Sequence, residues 1–183
     1  MKAVLISIQP KWCEKIVARR KSLELRKSKP NISVPFKCYI YQTRHKWVFK
    51  ILRAMKLNTL ADTLEIGFGM VIGEFVCDHI LGHCEMANAD IAEQQSCVRR
   101  DKVFEYSSGK EVYGWHISDL VIYDKPKDLC EFYKVGTLNA SDWEYQLYDG
   151  GGYPSRRSYE SYLFTRAIRK PPQSWCYVEE GRP

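Results

Sequence analysis

Between residues 10 and 17 apolar side chains recur at helical spacing. Trp12, Cys13, Ile16 and Val17 make one stripe, while Lys11, Glu14, Lys15 and Arg19 lie mostly off it. Pro10 suits the first turn of such a helix, where its missing amide hydrogen would be unpaired in any case. From Ser22 the period changes to two. Leu23 and Leu25 alternate with Ser22, Glu24 and Arg26, which predicts a half-buried strand with Glu24 and Arg26 on one face. Ahead of the helix, residues 2–8 are nearly continuous in apolar character and predict a buried strand. A turn cluster at 27–31 and Pro35 then precede a run of β-formers over 36–43. Pleat parity puts Phe36, Cys38, Ile40 and Gln42 on one face of it, and Lys37, Tyr39, Tyr41 and Thr43 on the other.

Further along, residues 44–56 carry a basic helical pattern with Trp47, Ile51, Leu52 and Met55 as its apolar stripe. A phosphate-contacting helix and a helix packed on a sheet both have this appearance. A strand follows over 70–79, with Val71, Gly73, Phe75, Cys77 and His79 on one face. Residues 85–106 predict one or two short polar helices, with Asn88 or Asp90 as caps. Residues 113–123 predict one strand, ended by Asp124-Lys125-Pro126, and 127–132 a short turn or helix. The stretch 136–154 is turn-rich, 158–170 has a helical pattern stopped by Pro171-Pro172, and 174–178 makes a final strand that pairs with the first to help close a barrel. No internal repeat is present.

Charge changes this picture more than composition does. The net charge is +6, but the first 56 residues hold 15 lysines and arginines against Glu14 and Glu24 alone, leaving the rest of the chain acidic. A one-sided basic region concentrates polyanions and is the electrostatic footprint of nucleic-acid binding; a solvated charged face has the same composition. Seven cysteines without Cys-x-x-Cys spacing argue against a disulfide framework and fit a reducing compartment. With no secretory signal and no apolar run long enough for a membrane span, the expected location is cytoplasmic, with no membrane partner. The length suits one domain over residues 1–183, with insertions at about 44–68 and 132–168.

The order Leu5-Ile6-Ser7-Ile8-x-Pro10-x-Trp12, followed by Lys21-x-x-Glu24-x-Arg26, resembles the ASCH domain, whose signature is Gly-x-Lys-x-x-Glu-x-Arg after an opening strand and helix. Arg19 stands where that signature has glycine. Residues 113–120 and 171–178 resemble later segments of phage and bacterial members, while 44–68 and 132–168 fall outside the resemblance. The implied fold class is α+β: a PUA-like small β-barrel with surrounding helices, of a kind that commonly binds RNA. Some small bacterial members look like amidohydrolases that remove an acyl group from modified cytidine, using a lysine and a threonine three residues later. Lys21 occupies the lysine position, but Glu24 replaces the threonine.

These residues permit three functions. In the first, Lys21, Glu24 and Arg26 line a cleft for RNA or a nucleotide: the arginine fork clamps a phosphate or base edge, and the carboxylate accepts from base amino groups. Gln9, Pro10 and Thr43 join them, and Trp12, Tyr41, Trp115 and His116 are candidate stacking surfaces for an unpaired base. Strict alternation sets Lys21 opposite Glu24 and Arg26, so the three converge only if Lys21 lies in the turn before the strand. In the second, Lys21 and Glu24 are a catalytic acid/base pair of an amidohydrolase or ribonuclease. In the third, the basic surface meets an acidic protein partner. No cofactor is expected. Cys77, His79, His83 and Cys84 are metal-ligating types, but their spacing matches no common zinc knuckle, so no metal site is assigned. The sequence assigns no oligomeric state.

Overall fold

A strand that is apolar at every position needs cover on both sides, and β1 (Ala3–Ile8) has it. Val4, Ile6 and Ile8 enter one core cluster, Ala3 and Leu5 a second on the other face. The computed structural model describes residues 2–44, 56, 68–82, 89–135 and 166–180. Most of the basic pattern over 44–56, residues 83–88 with His83, Cys84 and Asn88, and most of 136–170 therefore lie outside the described residues.

Around β1 a six-stranded sheet assembles in the order β7-β4-β3-β1-β9-β8. Its strands are β3 (Phe36–Gln42), β4 (Val71–Cys77), β7 (Ser118–Lys127), β8 (Phe132–Lys134) and β9 (Trp175–Glu180). β1 runs parallel to β3 and antiparallel to β9, so the expected pairing of the first and last strands forms. Phe36, Cys38 and Ile40 join the first cluster, Tyr39 and Tyr41 the second, as parity requires. In β4 the alternation breaks. Register shifts on both sides of Gly73–Glu74 send Val71 to the second cluster while Ile72, Phe75 and Cys77 go to the first.

A second sheet, in the order β2-β6-β5, combines β2 (Leu23–Arg26), β6 (Tyr113–His116) and β5 (Ile80–Leu81). Among the described residues the closed barrel expected from the sequence is therefore absent: the large sheet ends at β7 and β8, and the remaining strands make a second sheet. The cause is a corner where one strand was expected over 113–123. The Ile117 amide donates to the Ser22 carbonyl, Asp119 takes a φ of 45°, and the chain leaves β6 in the small sheet to enter β7 in the large one. β7 then continues through Pro126 to Lys127, which an edge strand tolerates because the missing amide hydrogen faces no partner. Phe132–Lys134, within the stretch where the sequence suggests an insertion, pairs with β9 as β8.

Helix α1 (Pro10–Val17) closes the first core with Cys13 and Ile16, leaving Trp12 half-buried and Val17 exposed. It ends in a Schellman turn, the amides of Arg19 and Arg20 reaching back to Ile16 and Lys15, with Arg19 left-handed at φ 55°. That is the position at which the ASCH signature carries glycine. α2 (Ala89–Ser96) and α3 (Arg100–Ser107) are two short helices where one or two were expected, and Asp90, an expected cap, lies inside α2. Between the small sheet and this helical segment Leu23, Leu25 and Val112 form a third cluster with Leu81, Val98 and Val103. Gly114 is opposite Leu25, and a Cβ on it would stand 2.7 Å from the Leu23 side chain. The described cysteines Cys13, Cys38, Cys77, Cys97, Cys130 and Cys176 are free thiols. No described helix is long and apolar enough to cross a membrane.

Candidate functional site

β2 was expected to be half-buried with Glu24 and Arg26 on one face, but all four of its residues are buried. Leu23 and Leu25 face the third cluster, so Glu24 and Arg26 are turned toward the large sheet. Lys21 precedes the strand and reaches the same place. The convergence that alternation alone forbids is thus supplied by the turn after α1.

Each charge there is matched. Lys21 Nζ donates to the carbonyls of Leu23 (2.8 Å) and Ser96 (2.7 Å) and lies 3.3 Å from Glu24 Oε2. Those three acceptors account for all three ammonium protons. Arg26 Nη2 donates to the Ser7 carbonyl (2.7 Å) and stands 3.0 Å from Glu24 Oε1, and Nη1 is 3.4 Å from Ser174 Oγ. The trio therefore ties β2 to β1, to α2 and to the residue before β9. Burial pushes the Lys21 ammonium below its ordinary pKa while Glu24 opposes that shift. Burial likewise pushes the Cys13 thiol far up, with the Glu24 charge adding to it. Among the described residues, Arg26 Nε and Trp115 Nε1 are buried without a hydrogen-bond partner.

Trp12 lies at the rim of this cluster. Lys21 Nζ is 5.1 Å from its ring centroid, and the ammonium groups of Lys11 and Lys15 stand over the same ring at 4.8 Å and 5.3 Å. Gln9 is the exposed N-cap residue, its carbonyl accepting from Trp12 and Cys13, and Pro10 takes the first helical position as expected. The Thr43 amide donates to the Ile8 carbonyl, which sets Thr43 beside that same end of β1.

Three of the candidate stacking residues are differently employed. Trp115 is wholly buried, edge-on to Phe36 at 5.8 Å and 5.9 Å from Trp175. Burying an indole is worth about 4–6 kcal/mol as an upper bound, against about 1–3 kcal/mol for stacking one base, so the core claims it. Tyr41 is buried in the second cluster, on the far side of the large sheet. His116 is half-buried, its Nδ1 2.7 Å from Asp78 Oδ1 and its ring stacked on His79.

The sequence reading missed Ser7, Ser96 and Ser174 as partners of the trio. Two of them act through backbone carbonyls, which carry no side-chain signal. It also missed Asp78, whose relation to His116 is created by the pairing of β5 with β6.

An opening strand and helix, a buried Lys-x-x-Glu-x-Arg cluster and a mixed sheet faced by a smaller one make an α+β domain whose fold is that of solved ASCH structures. The crystal structure of ASCH from Zymomonas mobilis is similar to this chain with a TM-score of 0.54 at 15% identity, covering 97% of this chain and 87% of that one. Crystal structures of two point mutants of that protein match with a TM-score of 0.56, one at 15% identity over 98% of this chain and 91% of that one, the other at 16% over 97% and 88%. At this identity the likeness establishes the fold. No protein-family model and no curated protein matches the chain.

Proposed function

We propose that this domain binds RNA or a modified nucleoside at the rim formed by α1 and the turn before β2. Trp12 is the stacking surface, Lys11 and Lys15 contact phosphate, and Lys21, Glu24 and Arg26 form the charged floor. The observation that carries this reading is the set of three ammonium groups over one half-buried indole. A flat π-face beside cations suits an unpaired base and its phosphates. Arg26 Nε, buried and unpartnered, is a spare donor for an acceptor on the ligand.

The test is fluorescence anisotropy with a single-stranded RNA oligonucleotide across a salt series. Affinity falls steeply with salt, and Lys11→Gln with Lys15→Gln lowers the slope of log K against log salt by about 1.4, at about 0.7 for each phosphate no longer neutralised. Trp12→Leu weakens binding by about 1–3 kcal/mol. Unchanged affinity and slope in both variants overturns the assignment. Copurification of a protein that survives nuclease treatment moves the basic surface to an acidic protein partner.

The amidohydrolase reading rests on the 3.3 Å approach of Lys21 to Glu24. It ranks second because the Lys21 protons are already committed to acceptors on three residues. Turnover of acyl-cytidine that disappears in Glu24→Gln, with the fold intact by circular dichroism, would reverse that order.

A further inference from the structure

The turn between β4 and β5 carries Asp78 and His79, and the β5–β6 ladder sets His79 beside His116: the His116 amide donates to the His79 carbonyl at 3.1 Å. On that frame both imidazoles aim Nδ1 at one carboxylate oxygen, with His116 Nδ1 at 2.7 Å and His79 Nδ1 at 3.1 Å from Asp78 Oδ1. The rings stack with centroids 4.2 Å apart and planes 22° apart. All three donor atoms lie within 4.8 Å of one another.

We propose that Asp78, His79 and His116 form a binding site for a divalent transition-metal ion of the zinc class, held by two imidazole nitrogens and one carboxylate oxygen. Ligands at about 2.0–2.1 Å from such an ion stand about 2.9–3.3 Å apart when their bonds meet at 90–109°. One of the two nitrogen–oxygen separations falls inside that range and the other just below it, while the set as a whole spans up to 4.8 Å, so closing on an ion draws the two nitrogens together and moves the carboxylate back from them. Two imidazoles with a carboxylate favour zinc, nickel, copper or iron over magnesium or calcium, which prefer oxygen alone.

His116 Nδ1 is within hydrogen-bond distance of Asp78 Oδ1, and His79 Nδ1 faces the same oxygen. A neutral ring that ligates through Nδ1 carries its proton on Nε2, so neutral rings would bind a cation there without net proton release. The side chains of Asp78 and His79 are 42% and 48% exposed, which leaves the remaining coordination positions open to water or to a ligand. Cys77 does not join the set, because its buried thiol donates to the His79 carbonyl. The site shares no residue with the Lys21–Glu24–Arg26 cluster, although His116 stands opposite Leu23 in the β2–β6 ladder, and it does not depend on the proposed nucleic-acid function.

Cobalt(II) titration of the full chain tests the proposal, followed by visible absorption and backed by zinc calorimetry. One equivalent binds with ligand-field bands of a nitrogen–oxygen site, and His116→Ala, His79→Ala and Asp78→Asn each weaken it by about tenfold or more. Histidine nitrogen NMR on the unaltered chain gives a readout free of folding effects, with the Nδ1 resonances of His79 and His116 alone shifting on zinc addition. Absence of saturable binding, binding indifferent to those substitutions, or a sulfur-to-cobalt charge-transfer band assigning the ion to cysteines would each overturn it.

Discussion

Glu24 stands between two cations in a place with little water, and Glu24→Gln is the sharpest test of how this domain is held together. In the native chain its two oxygens lie 3.3 Å from Lys21 Nζ and 3.0 Å from Arg26 Nη2. At an effective dielectric of about 20, each contact is worth about 5 kcal/mol of attraction, set against desolvation of all three groups and repulsion between the cations. Glutamine fills the same volume and keeps one oxygen for Arg26, but it turns an NH₂ toward the ammonium and leaves two buried cations without a counter-charge. Removing one member of a buried ion pair costs about 3–5 kcal/mol, a large part of the stability of about 5–15 kcal/mol that a domain has. The urea midpoint should fall at unchanged m-value, and the thermal midpoint should drop by about 6–20 °C at about 2–4 °C per kcal/mol for a chain of this size. Lys21→Met completes a double-mutant cycle. Once the lysine is gone, the glutamine costs less, by a coupling energy of about 1–3 kcal/mol. A loss under about 1 kcal/mol for Glu24→Gln, or additivity of the two changes within about 0.5 kcal/mol, would show that the carboxylate is not the electrostatic link between these elements.

Arg19→Gly should leave stability unchanged or raise it by up to about 1 kcal/mol, since a left-handed residue with a Cβ is strained by about 1–2 kcal/mol and glycine returns part of that as unfolded-chain entropy. The substitution removes an exposed 3.4 Å hydrogen bond from the Arg19 guanidinium to the Leu120 carbonyl, and a fall of more than about 1 kcal/mol in urea unfolding would refute the argument. Glu74 supplies a pH test. Partial burial raises its carboxyl, but hydrogen bonds from Lys37 (2.7 Å) and Tyr123 (2.5 Å), with the nearby Lys37 and Lys127 charges, hold it below its ordinary value. A depressed carboxyl means the unfolded chain binds the proton first. This contribution is therefore complete above the ordinary carboxylate pKa and is lost as pH falls through the lower folded value. Glu74→Gln should flatten the acid limb of the stability profile, and an unchanged limb would refute the assignment.

Local periodicity made several elements legible before any coordinates. The continuous apolar run became β1, the proline-led stripe became α1, and the alternation after Ser22 became β2. The spacing of Lys21, Glu24 and Arg26 was likewise visible, and so was the exceptional Arg19, whose left-handed backbone accounts for the glycine in the signature it resembles. These are statements about neighbours within a turn or a pleat, where chain geometry alone decides the outcome.

What tertiary structure decided was which faces are covered. Alternation marks Glu24 and Arg26 as one face of β2 but does not say that leucines would be covered by one layer and the charges enclosed by another. The same limit explains why Trp115 and Tyr41, equally aromatic and equally plausible as stacking surfaces, went into the core, while Trp12 stayed at a rim beside three lysines. The corner at Ile117 divided one alternating run between two sheets and left the large sheet open. Strand pairing brought His116 against Asp78, 38 positions earlier in the chain, and against His79 beside it. Burial and long-range pairing are properties of how separate segments pack, and a hydropathy pattern records only what each segment can offer to that packing.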